Sequence, residues 1–258
     1  MADAMELAYE ERGSGPVLLF VHGFPLDRTM WIPQLAGLAK LRTCVALDLR
    51  GHGLSEDPTP GNYTMDLFAD DIVRTMDAMG AETADIAGLS MGGYVLFALW
   101  RRHPQRVRSL IFIDTKAEAD SGECRAGREK QAADVTSYGL TPLIGGLLPK
   151  LFGSSPYDEV KAKTETMFAN TLPAVAAADA LAMRDRPDSV ADLATITVPV
   201  LWLQGEEDAL MPPDSVRGSA ESIPGATFMT IPGGGHLAPM ENPEATNAAI
   251  AAFLKSQD

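Results

Sequence analysis

Cysteine is scarce in this 258-residue chain: Cys44 and Cys124 are the only two. They lie too far apart in sequence for a disulfide framework or a CxxC-type metal or redox site. Histidine is scarce too, at four, and no pair forms HxxxH or HExxH, which leaves little material for zinc. Basic residues are outnumbered 35 to 21, a formal charge of −14 that works against gripping nucleic acid phosphates or an anionic membrane surface. Long apolar runs are missing as well. Runs such as Val17 to Val21 fall far short of a membrane span. The N-terminus shows no basic start followed by an apolar stretch, so no signal peptide is expected. With two unpaired thiols, the expected location is cytoplasmic.

What is present is a rhythm. Short apolar runs alternate with segments of helical period, the pattern of a parallel sheet covered by helices. The runs are Val17–Val21, Thr43–Leu47, Ala84–Ala87, Ser109–Ile113, Val200–Leu203 and Thr227–Ile231, all read as strands buried on both faces. Residues Met5–Glu11 are a candidate antiparallel edge strand ahead of them. Trp31, Leu35 and Leu38 form one helical stripe; Phe68, Ile72, Met76 and Met79 form another. A last helix starts with Asn242 as N-cap and Pro243 in its first turn, and buries Ile250, Phe253 and Leu254. Between Lys116 and about Val190 the rhythm breaks. Pro142, Gly145–Gly146, Pro149, Pro156 and Pro173 punctuate a segment suited to three or four short helices. The expected division is a core of residues 1–115 and 191–258 with a helical cap over 116–190.

Gly88-Leu89-Ser90-Met91-Gly92 lies directly between a strand and a helix. The pentapeptide alone is short enough to arise by chance; the strand before and the helix after make it specific. A serine on that sharp turn is lifted clear of the sheet, in front of a helix N-terminus that favours negative charge. Its hydroxyl is a weak nucleophile at neutral pH and needs a base. Of the four histidines, only His236 follows an apolar strand and lies downstream of everything else the chemistry needs. His22 and His52 sit in other turns as loop supports, and His103 ends a helix before Pro104.

A carboxylate must orient that base. Asp208, after the strand Val200–Leu203, is the reading adopted; Asp114, which also ends a strand, is its rival. An oxyanion would be met by two backbone N–H groups. One is that of Met91, next to the nucleophile, and the other comes from the loop His22-Gly23-Phe24-Pro25, where Phe24 is the candidate. Leu210 and Leu237, beside the acid and the base, are expected to line the substrate pocket.

With these pieces placed, the chain resembles an α/β-hydrolase of the small bacterial serine carboxylesterase type over nearly its whole length. The matching stretches are His22 to Asp27, Asp48 to Ser55, Gly88 to Gly93, Gly205 to Asp208 and Gly235 to Glu241. The resemblance implies a mostly parallel sheet of seven to eight strands with a small inserted helical cap. It also implies backbone oxyanion donors at the positions of Phe24 and Met91. The short N-terminus is a departure that leaves the first edge strand in question. Ser90 excludes the aspartate chemistry of the related epoxide hydrolases and haloalkane dehalogenases.

The expected activity is hydrolysis of small, mostly uncharged esters of short acyl chains, with no cofactor, no metal, no nucleic acid and no membrane involved; oligomeric state is left open. Three alternatives share the scaffold. An enol-lactonase would need a basic pocket, for which Arg125, Arg128, Arg184 and Arg186 are available. A cofactor-free perhydrolase is suggested by Pro25. A ligand receptor would keep the triad with little turnover.

Overall fold

A computed structural model describes residues 3–57 and 59–257 of the chain. Seven strands form one sheet in the order β1-β3-β2-β4-β5-β6-β7. They are β1 (Tyr9–Arg12), β2 (Val17–Val21), β3 (Thr43–Leu47), β4 (Ala84–Leu89), β5 (Val107–Ile113), β6 (Val200–Gly205) and β7 (Thr227–Ile231). β1 runs antiparallel to β3, and every other neighbouring pair is parallel. The short N-terminus therefore does supply an edge strand, but of four residues, Tyr9–Arg12, later than the expected Met5–Glu11.

Helices cover both faces. α1 (Ile32–Leu38) packs on α11 (Pro243–Lys255), and α2 (Met65–Ala78) packs on α3 (Met91–Arg102). The stripes explain why: Leu35 and Leu38, and Phe68, Ile72 and Met76, are all fully buried. Trp31 lies in a 3-10 turn just ahead of α1, and Met79 caps the end of α2. α11 begins as expected, with the Asn242 side chain accepting the Ala245 N–H at 3.1 Å and Pro243 in the first turn.

The central strands are buried on both faces, as their near-continuous apolar sequence requires. One strand departs from that reading. β7 has the expected boundaries, yet Thr227, Met229 and Thr230 are exposed, because it is the sheet edge with no neighbour beyond it. Cys44 lies inside β3, where burial pushes its thiol up to about 12, and Cys124 is exposed. No helix among the described residues is long and apolar enough to cross a membrane.

Between β5 and β6 the chain forms α4 (Gly122–Tyr138), α5 (Thr141–Leu147), α6 (Asp158–Asn170), α7 (Pro173–Asp185) and the single turn α8 (Val190–Leu193). The expectation of short helices fails for α4, which at 17 residues is longer than any other described helix. It packs along α7 and buries few side chains, Ala132 and Val135 among them. α9 (Pro213–Glu221) and the short α10 (Ala238–Glu241) complete the fold.

Because β3 and β4 flank β2 on opposite sides, the loops after β2 and β4 diverge and leave a crevice at the carboxyl ends of the strands. The loops after β5, β6 and β7 end at the same edge.

Candidate active site

Ser90 occupies the single residue between β4 and α3, with φ 53° and ψ −111°. A residue with a Cβ is strained there by about 1–3 kcal/mol, and the surroundings hold it. Its N–H donates to Ile113 C=O at 2.9 Å, and its own carbonyl accepts the Thr115 hydroxyl at 2.8 Å. Glycine is required on either side of this turn for close approach. A Cβ on Gly88 would stand 2.6 Å from the Gly92 backbone, and one on Gly92 would stand 2.4 Å from the Val21 carbonyl oxygen. The loop after β2 can thus lie directly against the serine turn.

The Ser90 hydroxyl is 2.9 Å from His236 Nε2, and His236 Nδ1 is 2.8 Å from Asp208 Oδ2. Asp208 is buried with its oxygens filled: Oδ1 accepts the N–H groups of Leu210 (2.9 Å) and Met211 (3.0 Å), and Oδ2 also accepts the Gln204 amide at 2.8 Å. A carboxylate so bound has one orientation, and it fixes the imidazole with Nδ1 protonated and Nε2 facing the serine. The geometry separates the two candidate acids. Asp114 is fully buried and spends Oδ1 on the Gly205 N–H at 2.6 Å, holding the end of β6; it does not reach His236. Burial, and after it the charge of Asp208, hold the Asp114 carboxyl well above the usual range.

Phe24 and Met91 come together at the crevice. Phe24 lines the same cavity as Ser90, and its peptide bond to Pro25 is cis. Met91 opens α3, so its N–H has no carbonyl one turn back to bond to. The loop's backbone hydrogen bond runs from Leu26 N–H to Gly23 C=O, and neither the Phe24 nor the Met91 N–H meets a protein acceptor among the described residues. His22 stands behind Phe24. Burial, with His52 second, keeps it well below its ordinary pKa; Nε2 accepts the Leu49 N–H at 2.9 Å while Nδ1 donates to Gly23 C=O at 2.9 Å. Thr171 at the end of α6 donates to Pro25 C=O at 3.0 Å, and Lys163 donates to Thr29 C=O at 2.6 Å, so α6 steadies this loop from above.

The cavity over Ser90 and His236 measures about 410 Å³. Leu210 lines it. Leu237 does not: it is 1% exposed and packed in the core, because the chain turns into α10 at this point and carries the side chain beneath the site. Of the four arginines considered, Arg128 is in the wall, and Arg186 is buried against the Tyr94 ring, 4.0 Å from its centroid. Arg125 is exposed and Arg184 half-buried, and both pair with Asp185.

Several residues at the site carry no sequence signal strong enough to single them out. Lys116 and Asp120 line the cavity, and three cations converge on Asp120: Arg186 at 2.8 Å, Arg128 at 3.2 Å and Lys116 at 3.7 Å. The cluster leaves a local surplus of positive charge in an acidic chain. Glu241 is buried and accepts the Gly153 N–H at 2.7 Å and the Gly235 N–H at 2.8 Å; burial raises its pKa despite these bonds. Gln204, whose amide holds Asp208 at 2.8 Å, belongs to no motif of its own.

A serine hydroxyl, an imidazole and a carboxylate stand in one hydrogen-bond line at the carboxyl edge of the sheet, beside a cavity. The chain belongs to the alpha/beta hydrolase fold family, which it matches over residues 16–243, and is a hydrolase of that family. Among solved structures it is similar to a thermophilic esterase from Thermogutta terrifontis, described as malate bound. That pair shares 39% identity and a TM-score of 0.95, covering 97% of this chain and 93% of the esterase. It is also similar to an enol-lactonase from Burkholderia xenovorans (29% identity, TM-score 0.88, 96% of each chain). A 2-(acetamidomethylene)succinate hydrolase of Mesorhizobium japonicum is 27% identical, over 96% of this chain and 91% of the relative.

Proposed function

We propose that the protein is a carboxylesterase working through an acyl-serine intermediate. The observation that carries this reading is the unbroken hydrogen-bond chain from Ser90 through His236 to Asp208 at the floor of the cavity. His236 takes the Ser90 proton as Oγ attacks the ester carbonyl, and the carbonyl oxygen, now negative, is received by the Phe24 and Met91 N–H groups. The N-terminus of α3 favours that charge. His236 returns the proton to the departing alcohol, leaving acyl-Ser90. Water then gives up a proton to His236, attacks the acyl carbon and releases the acid. Residues 116–190 act as a cap over the site, and no cofactor takes part. The likeness to an esterase at 39% identity supports an ester as substrate.

A second reading, an anionic lactone or ester, is favoured by one observation: Lys116 and Arg128 face the cavity with Asp120 as their shared anion. The long-range charge of −14 works against it. The test is a panel of p-nitrophenyl acetate, a neutral lactone, a carboxylate-bearing lactone and a peracid-forming assay, run on the wild type and on Ser90→Ala. Steady ester turnover that Ser90→Ala abolishes is expected. A single burst without turnover would replace the enzyme with a ligand receptor, and a preference for the charged lactone would replace the neutral ester.

A further inference from the structure

The catalytic cavity has a neighbour. A second cavity of about 270 Å³ opens between α4 and α5, walled by Val135, Pro142, Leu143 and Leu147, with the exposed Lys130 and Lys150 at its edge. Gly127, Gln131, Leu147 and Leu210 line both cavities, so the two meet along a seam on α4.

Gly127 is the telling residue there. Glycine ranks below every residue but proline as a helix former, and Gly127 sits inside α4, more than a turn from either end. Neither usual excuse applies. Its φ is not in the left-handed region, and a Cβ built on it would meet nothing within 4 Å. What its missing side chain does is leave the seam open. Of the other seam residues Leu147 and Leu210 are apolar and Gln131 is polar, so a hydrocarbon passes along the leucines.

We infer that the second cavity is a binding arm for an unbranched aliphatic chain of the substrate, entered from Ser90 through the seam at Gly127. This rests on the ester-hydrolase reading and deepens it: the substrate range extends from short esters to medium-chain ones. The chain belongs to the acyl or the alkoxy half of the ester, and the chemistry recognised, apolar methylenes against Val135, Leu143 and Leu147, is the same for both. Because the exposed Lys130 and Lys150 stand at the edge of the cavity, a chain longer than the arm emerges into solvent, and the preference reaches a plateau with length.

The test compares kcat/KM for p-nitrophenyl octanoate with that for p-nitrophenyl acetate, and for octyl acetate with ethyl acetate, in wild type, Gly127→Leu and Gly145→Leu. Gly145, exposed on α5 and outside both walls, is the control. Leucine is the better helix former at either position, so folding is not at risk. Each buried methylene is worth about fourfold, so losing several lowers the long-to-short ratio by tenfold or more in Gly127→Leu. Gly145→Leu keeps the wild-type ratio. A fall in the octanoate series places the acyl half in the arm; a fall in the octyl acetate series places the alkoxy half there. Equal ratios in both series for Gly127→Leu and Gly145→Leu would overturn the inference. Titration with 1-octanol reads the arm without catalysis: binding weakened in Gly127→Leu alone supports the arm even where every ester fails to turn over, which would sink only the parent reading. Equal 1-octanol binding in both variants overturns the arm.

Discussion

The carboxyl edge of the sheet and the helices above it are built to different tolerances. At the edge, Asp208 spends both oxygens on four donors, His236 is held at both nitrogens, and glycines sit where a Cβ would collide with backbone. Among the helices, Gly127, Gly145 and Gly146 face open space, α4 buries few side chains, and Arg125 pairs with Asp185 in solvent. Chemistry needs fixed atoms, so the edge is over-determined. Substrate shape is selected by walls that can change without disturbing it.

The sharpest break comes at Ser90. Ser90→Gly is expected to lower kcat by about 10⁶ while raising stability by about 1 kcal/mol, because glycine accepts the backbone that strains serine. Steady-state rates and a thermal melt measure both, and a lower melting midpoint would mean the turn stores no strain. Asp208→Asn should lower kcat by about 10⁴ through the wrong histidine tautomer. Asp114→Asn should change it by about tenfold at most, since an amide oxygen still accepts the Gly205 N–H. The reverse ranking would move the acid to Asp114.

The third test lies where the two regions join. His52 Nε2 is 3.0 Å from Asp179 Oδ2, both fully buried, with the histidine after β3 and the aspartate on α7. Burial opposes the charge on His52, but Asp179, the Arg50 carbonyl and Asp48 together outweigh it and lift the histidine above its ordinary pKa, while burial raises the Asp179 carboxyl as well. A raised folded-state pKa gives stability that is complete below about 6.5 and is lost as pH rises through the higher folded value. Asp179→Ala should cost about 3 kcal/mol in mildly acidic solution. It should also flatten the fall of the melting midpoint with rising pH; an unchanged slope would show that the pair holds no proton. The smallest effect is expected in the helices themselves. Arg125→Ala should shift stability by less than about 0.5 kcal/mol, since its partner is exposed. A larger loss by chemical denaturation would mean that ion pairs, rather than packing, hold α4 to α7.

The same contrast governs what could be read from sequence. Strands buried on both faces show up as unbroken apolar runs, and β2, β3 and the middle of β4 to β6 were legible for that reason. Edge strands bury less. β1 was displaced, and β7 was found with its burial overstated. Ser90, His236 and Asp208 were legible because turn chemistry and chain order constrain them. Gln204 and Glu241 act through hydrogen bonds to a side chain or to distant N–H groups, and no spacing announces such bonds. Lys116 and Asp120 belong to a stretch whose helices lack a strong apolar stripe, so nothing marked which face would turn toward the cavity.

Glu241 gives the helical layer a fixed end. One buried carboxylate receives N–H groups from Gly153, on the segment between α5 and α6, and from Gly235, next to the base. Lifting that segment would strand the carboxylate with a donor missing and loosen the residue before His236 in the same movement. The layer is therefore anchored on the histidine side. With Thr171 and Lys163 tying α6 to the loop after β2, the part of the layer least tied to the sheet edge is α4 and α5, with their glycines and solvent-exposed pairs.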